Sequence, residues 1–305
     1  MPSASPPALS AHPSTARSVL RAMRLHQWAK NALVVLPLAL AHQLGDAGLV
    51  ARAALAFGAM GLVASGTYVV NDLLDRERDH LHPTKRRRPF ASGALSPAFG
   101  WALAPALVGA GFALAWLTLP TAFVVVLGAY LATTLSYSLR LKAVAGLDVL
   151  ILAGLYTLRL LAGGAATDIP VSEWLLAFAL FFFLGLAVLK RYAEMRLIAD
   201  GGTTAENGRG YAAGDAALLL PFGVAAGLIA VLVFTLYVTS PAVAELYAHA
   251  TWLWLAAPPR LYWTFRVWLL AHRGQMDADP VLFAVKDPAS YAVAAAVGAV
   301  LAAAS

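Results

Sequence analysis

The sequence has no cysteine in 305 residues. That excludes a disulfide scaffold and any Cys-ligated metal site. Charge is scarce as well: Asp, Glu, Lys and Arg make up 12% of the chain, against about 25% in a soluble globular domain. The low hydrophobicity that keeps a chain disordered is also absent, since 60% of residues are hydrophobic and the mean hydropathy is +0.71. What remains is an all-α integral membrane protein. At about 20 residues per span the chain holds at most about ten helices. The net charge of +6 marks cytoplasmic loops and an anionic ligand in so apolar a chain, and no nucleic-acid partner is expected.

Residues 1–16, rich in Pro, Ser and Ala, read as a disordered tail, and residues 17–305 as one transmembrane domain. No apolar core precedes Arg17, Arg21 and Arg24, so no signal peptide is expected. Apolar stretches near 27–44, 48–71, 97–118, 120–139, 147–167, 172–193, 216–239, 243–271 and 286–304 give nine transmembrane helices. The eighth is interrupted by Pro258, Pro259, Arg260 and Arg266. With the N-terminus cytoplasmic, Arg52 is the one basic residue of the opposite side, and Arg159, Arg260 and Arg266 lie within spans. All other basic residues then fall on the cytoplasmic side, as the positive-inside rule demands. Most acidic residues fall there too, which that rule does not require and which suggests a polar site at that face.

Asn71-Asp72-Leu73-Leu74-Asp75-Arg76-Glu77-Arg78-Asp79 closes the second stretch. On a continuous helix, Asp72, Asp75 and Asp79 share one face. Crowded carboxylates repel unless a divalent cation sits among them, and hard oxygen donors suit Mg²⁺ bridged to substrate phosphates. The plainer reading is a solvated helix end balanced by Arg76 and Arg78. Next comes His82-Pro83-Thr84-Lys85-Arg86-Arg87-Arg88-Pro89. Arg forks read phosphate bidentately, so Lys85 and Arg88, framed by Pro83 and Pro89, are expected at an anionic ligand. Arg86 and Arg87 are equally readable as topogenic charges. Arg159, inside the fifth span, is costly unless it is paired, which suggests an anionic substrate or a carboxylate such as Asp148 as its partner. The Gly163-Gly164 pair reads as close helix packing. The scattered His residues, His272 among them, read as structural. Asp200 and Glu206 fall in a Gly-rich loop, and Trp252, Trp254, Trp263, Trp268, Tyr247 and Tyr262 read as an aromatic belt.

The stretch NDLLDRERDHLHPTKRRRPFASG resembles the first Asp-rich motif of the UbiA superfamily of intramembrane prenyltransferases. Arg24-Leu25-His26-Gln27-Trp28-Ala29-Lys30-Asn31 resembles that family's entry to the first helix, and Tyr137…Lys142, then Asp148, its segment after the fourth. The resemblance implies a nine-helix bundle around a central cavity. Where prenyl-diphosphate enzymes of the family carry a second motif, DxxxD, this chain has Lys190-Arg191-Tyr192-Ala193-Glu194-Met195-Arg196. That pattern, Leu158…Gly164 and Asp279-Pro280…Lys286-Asp287 are similar to the decaprenyl-phosphate phosphoribosyltransferase branch.

The branch implies transfer of 5-phosphoribose from phosphoribosyl diphosphate to a polyprenyl phosphate at the cytoplasmic face of the inner membrane, in cell-wall biosynthesis. It implies catalytic roles for Asp72, Asp75 and Asp79 as Mg²⁺ ligands (Mn²⁺ as a substitute) and for Lys190. Gln27, Lys30, Asn71, Lys85, Arg88, Tyr137, Lys142, Asp148, Arg159, Arg191, Tyr192 and Glu194 would bind substrate, with a homo-oligomer as a possible assembly. The alternatives are a UbiA-type prenyltransferase that uses a prenyl diphosphate and an aromatic or other acceptor, and a transporter. Against the transporter, no inverted repeat with broken helices is visible.

The charge asymmetry fixes a testable orientation. In this Cys-free chain an impermeant thiol reagent applied to intact cells is expected to label Asp168→Cys and to leave Lys85→Cys untouched. The reverse labelling would refute the orientation.

Overall fold

The computed structural model describes residues 15–81, 85–199, 210–276 and 280–305. The sequence features at His82, Pro83, Thr84, Asp200, Glu206, Arg209 and Asp279 lie outside these residues, as does the expected tail up to residue 14. At the tail's end the boundary shifts, because helix α1 (Thr15–Met23) already begins at Thr15.

The described chain is helical throughout. A 3₁₀ segment, Leu25–Val34, leads into α2 (Leu36–Leu40). Then follow α3 (Ala47–Leu74), α4 (Arg76–Leu81), α5 (Pro97–Thr118), α6 (Thr121–Leu139), α7 (Leu147–Thr167), α8 (Glu173–Ala199) and α9 (Ala216–Val238). Last come α10 (Pro241–Leu246), a 3₁₀ segment Ala250–Ala256, α11 (Ala257–His272), α12 (Pro280–Ala284) and α13 (Pro288–Ala304). Among the described residues six helices, α3 and α5 to α9, are long and apolar enough to cross a membrane. The other three expected spans are shorter or broken. The first breaks before Pro37, which lacks an N–H and restricts the residue before it. The eighth breaks before Pro258 and Pro259, which start α11. The ninth is the 17-residue apolar α13.

Helix α3 packs along α5, and α8 packs along both α9 and α7, with α6 against α7. Small residues let these backbones approach. At Gly66 in α3, an added Cβ would stand 2.8 Å from the Ala104 carbonyl of α5. One apolar core joins α7, α8, α9 and α11 around Leu160, Val188, Leu189 and Trp268. A second joins α3, α6 and α7 around Met60, Phe123 and Leu127. The C-terminal ends of α3, α6 and α8 and the start of α7 share one end of the bundle, through Lys142–Asp75 and Arg191–Asp148. The opposite end is marked by Arg52 on Asp168, 3.1 Å apart.

The 3₁₀ segment is held against α7 at Gly163, where an added Cβ would come within 2.1 Å of the Val34 carbonyl oxygen. Backbone cannot yield as a flexible side chain does, so Gly163→Val is expected to destabilise the fold by about 3 kcal/mol or more, at or beyond the upper end of core overpacking. A lowered unfolding midpoint in detergent checks this, with Gly154→Val as the control, since a Cβ at Gly154 meets nothing within 4 Å.

Candidate active site

The acidic motif does not form one helical stripe. Helix α3 ends at Leu74, Asp75 is its C-cap residue, and α4 restarts at Arg76. This break corrects the expected single face. Asp72, 2% exposed, and Asp79, 3% exposed, turn to one side. There Arg88 Nη1 donates to both, 3.1 Å from Asp72 Oδ1 and 2.5 Å from Asp79 Oδ2. Arg24 also donates to Asp72. Asp75 faces Lys142, whose Nζ lies 2.8 and 2.9 Å from the two carboxylate oxygens and 3.3 Å from Asn71 Oδ1. Arg86 and Arg87 are exposed while Lys85 and Arg88 are half-buried.

A second polar cluster sits on the neighbouring helices. Arg191 is fully buried. Its Nε donates to Asp148 in the first turn of α7, its Nη1 to Glu194 one turn on, and its Nη2 to the Tyr137 hydroxyl at 3.3 Å. Asp148, equally buried, accepts a further bond from the Tyr211 hydroxyl at 2.5 Å. The same hydroxyl accepts from the Gly146 N–H at 2.9 Å. Tyr211 thus ties the α8–α9 connection to the turn before α7. Burial, with the bond to Asp148 second, pushes its ionisation up to about 12.

Arg159 does not neutralise Asp148, which Arg191 already occupies. Its Nε donates to Asn31 Oδ1 at 3.0 Å, Nη1 to the Leu155 carbonyl at 2.7 Å and Nη2 to the Tyr130 hydroxyl at 2.9 Å. The rings of Tyr130 and Tyr156 lie 4.9 and 5.4 Å away. Lys30 approaches the same Tyr156 ring at 5.8 Å. Gln27 is half-buried in the 3₁₀ segment, and Lys190 is half-buried on α8.

Tyr192 leaves the site. One residue after Arg191 it turns about 100° round the helix and is buried in the core beside Trp268, with its hydroxyl 2.9 Å from His272 Nδ1. Trp268 and Tyr247 are buried too, so the expected aromatic belt keeps only Trp252, Trp254 and Tyr262 exposed. Sequence reasoning missed Arg24, Asn31, Tyr130 and Tyr211 as members of these networks. The first two stand inside the quoted first-helix motif. Tyr130 and Tyr211 carry no local signal.

Asp72 and Asp79 converge on a single nitrogen of Arg88, a stand-in for a shared cation. Among the described residues no three His, Cys, Asp or Glu side chains form a ready cage. Mg²⁺ suits such a place, because it takes one or two carboxylates and completes its shell with water and phosphate oxygens.

Comparison with known proteins shows what the chain is similar to. The model of the UbiA prenyltransferase family matches residues 32–286. Nodulation protein NoeC of Azorhizobium caulinodans is 35% identical over 88% of this chain and 87% of its own length. The uncharacterized protein y4nM of Sinorhizobium fredii is 39% identical over 90% of this chain, which spans only 54% of that relative's length. Decaprenyl-phosphate phosphoribosyltransferase of Mycolicibacterium smegmatis is 38% identical over 59% of this chain and 57% of its own. Among solved structures, a UbiA homolog from Archaeoglobus fulgidus bound to DMAPP and Mg²⁺ matches with a TM-score of 0.67, covering 93% of this chain and 99% of that one at 17% identity.

The Tyr211 link yields a stability test. Tyr211→Phe removes both the hydrogen bond to the buried Asp148 carboxylate and the one from the Gly146 N–H, and the first alone is expected to cost about 1–3 kcal/mol. Because the folded-state ionisation of Tyr211 is raised above its ordinary value near 10, this contribution is complete below about pH 10 and is lost as pH rises through about 12. Unfolding of wild type and variant across that range measures both statements.

Proposed function

The chain belongs to the UbiA prenyltransferase family, a multi-pass membrane transferase, and from that premise we propose that it moves 5-phosphoribose from phosphoribosyl diphosphate to a polyprenyl phosphate, releasing diphosphate. One observation carries the reading. Where a second acidic motif would hold another metal, α8 presents Lys190 and the buried Arg191, and the one carboxylate of the segment 190–196, Glu194, is already ion-paired with Arg191. One acid cluster among many cations suits a substrate set with three anionic groups: a diphosphate, a ribose phosphate and a lipid phosphate. The 38% identity to decaprenyl-phosphate phosphoribosyltransferases supports it.

In this reading Asp72 and Asp79, which already share the Arg88 cation, would hold Mg²⁺, and Asp75, with Asn71 beside it on Lys142, would support them from across the helix break. Bound there, Mg²⁺ neutralises charge on the leaving diphosphate. Arg88 and Lys142, which hold these carboxylates in the structure, turn to phosphate oxygens, joined by Lys30, Lys85 and Lys190. Arg191, fixed by Asp148, orients Tyr137 and Glu194 toward the ribose end. The C1–oxygen bond to diphosphate breaks as the lipid phosphate oxygen attacks C1 from the opposite face, inverting it. That nucleophile is anionic at neutral pH, so no general base is needed. Catalysis rests on alignment and leaving-group electrostatics. The acid cluster faces the cytoplasm, and the prenyl chain lies in a cavity within the bundle.

A second reading is transfer of a prenyl group from a prenyl diphosphate. It is favoured by the Archaeoglobus fulgidus homologs, bound to DMAPP and to GPP with Mg²⁺.

One assay separates the readings. Purified protein with Mg²⁺ is offered labelled phosphoribosyl diphosphate and polyprenyl phosphate, or a prenyl diphosphate and 4-hydroxybenzoate. Product is expected from the first pair only, with activity lost in EDTA and restored by Mg²⁺ or Mn²⁺. Lys190→Ala should lower kcat/KM for phosphoribosyl diphosphate about tenfold to a hundredfold, the worth of a charge-assisted hydrogen bond. Asp75→Ala should act mainly on kcat. Turnover of the prenyl diphosphate pair alone would select the second reading.

A further inference from the structure

Helices α8, α9, α11 and α13 enclose an apolar groove of about 490 Å³, lined by Phe182, Val231, Val297 and Leu301 among others. That volume is within the range of ligand sites. Its polar lining is almost wholly satisfied internally. Thr264 Oγ1 donates to the Arg260 carbonyl, Ser290 bonds Asp287 and Trp263, and the Tyr291 hydroxyl donates to the Val285 carbonyl.

Arg260 is the exception. Its half-buried guanidinium lies 4.4 Å from the Phe178 ring and 4.3 Å from the Phe234 ring. Among the described residues it meets no carboxylate and donates no hydrogen bond. Two ring faces compensate the charge in part, but they accept none of the five N–H groups in the plane of the guanidinium. An unpaired arginine in an apolar bundle is costly. A phosphate lowers that cost most effectively, because it takes two of those donors at once.

The position of Arg260 decides where such a phosphate comes from. Arg260 opens α11, twelve residues before His272, so it stands about 18 Å along the helix from the His272–Tyr192 contact beside Arg191. A phosphate there is out of reach of the acid cluster, at the opposite end of the bundle.

We propose that this groove is a second lipid site, which holds an anionic phospholipid of the far leaflet with its phosphate on Arg260 and an acyl chain along α13. Basic pockets between membrane helices bind lipid headgroups on the same physical grounds. The site is separate from the reaction proposed above and does not depend on it.

The test uses the full chain, purified and delipidated in detergent, with phosphatidylglycerol, with diacylglycerol of the same chains, and with inorganic phosphate. Native mass spectrometry reads occupancy, and thermal unfolding reads stabilisation. Phosphatidylglycerol is expected to be retained and to raise the unfolding midpoint more than either other probe. Arg260→Gln should weaken its apparent affinity about tenfold or more. Gly298→Leu should weaken it too, by filling the groove from a position where a Cβ meets nothing within 4 Å. Equal binding of diacylglycerol, equal stabilisation by inorganic phosphate, no retention of phosphatidylglycerol, or wild-type affinity in Arg260→Gln would each overturn the site. If Arg260→Gln fails to fold, the three-probe comparison on the wild type and Gly298→Leu still decide.

Discussion

The fully buried Arg191 is the constraint around which the polar end of the bundle is arranged. Removing a guanidinium and a carboxylate from water costs several kcal/mol per ion, and only good geometry with further hydrogen bonds repays it. Every partner of Arg191 is therefore obliged to be in place. Asp148 comes from the first turn of α7, where the helix dipole also favours an anion. Tyr137 comes from the last turn of α6 and Glu194 from α8 itself. One side chain thus sets the relative depth of three membrane helices. Tyr211 extends the constraint to the connection between α8 and α9 by closing the remaining oxygen of Asp148.

The acid cluster at the end of α3 follows a different rule. Its pairs are only partly buried, with Arg24, Arg88 and Lys142 retaining 20%, 26% and 13% side-chain exposure. The cations of these pairs remain within reach of water while Asp72 and Asp79 are buried, so the carboxylates can release a cation only where another takes its place. In the proposed reaction each partner of a pair finds a new one: carboxylates turn to the metal and cations to phosphate oxygens. Charge stays compensated throughout, so binding need not uncover a bare ion beside the bilayer. Rigid pairs hold the scaffold and exchangeable pairs face the ligand.

Composition and spacing made the helical membrane class, the six long apolar helices and the acid and base motifs legible, because hydropathy and local spacing are properties of contiguous sequence. The family resemblance rested on three such contiguous motifs. What stayed hidden is non-local or conformational. The break at Asp75 has no proline or glycine to announce it. Arg159 meets Asn31 across 128 positions and Tyr130 across 29, and nothing in either segment marks the other. Tyr192 stands inside a motif that points to substrate, yet its place on the helix turns it to Trp268 and His272. The close approach at Gly163 was readable as a class of contact, but its partner, the Val34 carbonyl, was not.

Three arginines in this bundle show why the cost of a buried charge does not by itself identify the partner. Arg191 is satisfied by two carboxylates and a phenol. Among the described residues Arg159 is satisfied without a carboxylate, by an amide oxygen, a backbone carbonyl and a phenol, under two aromatic rings. Its Nε and both terminal nitrogens are engaged, so a ligand anion would have to displace bonds already made. Among the described residues Arg260 has rings only. Ring faces offset charge but leave the in-plane donors unused. The capacity of an arginine to take an external anion therefore follows from how many of its donors remain unspent, and not from its depth in the membrane. By that measure Arg260, the least polar of the three in its surroundings, is the most available to a phosphate.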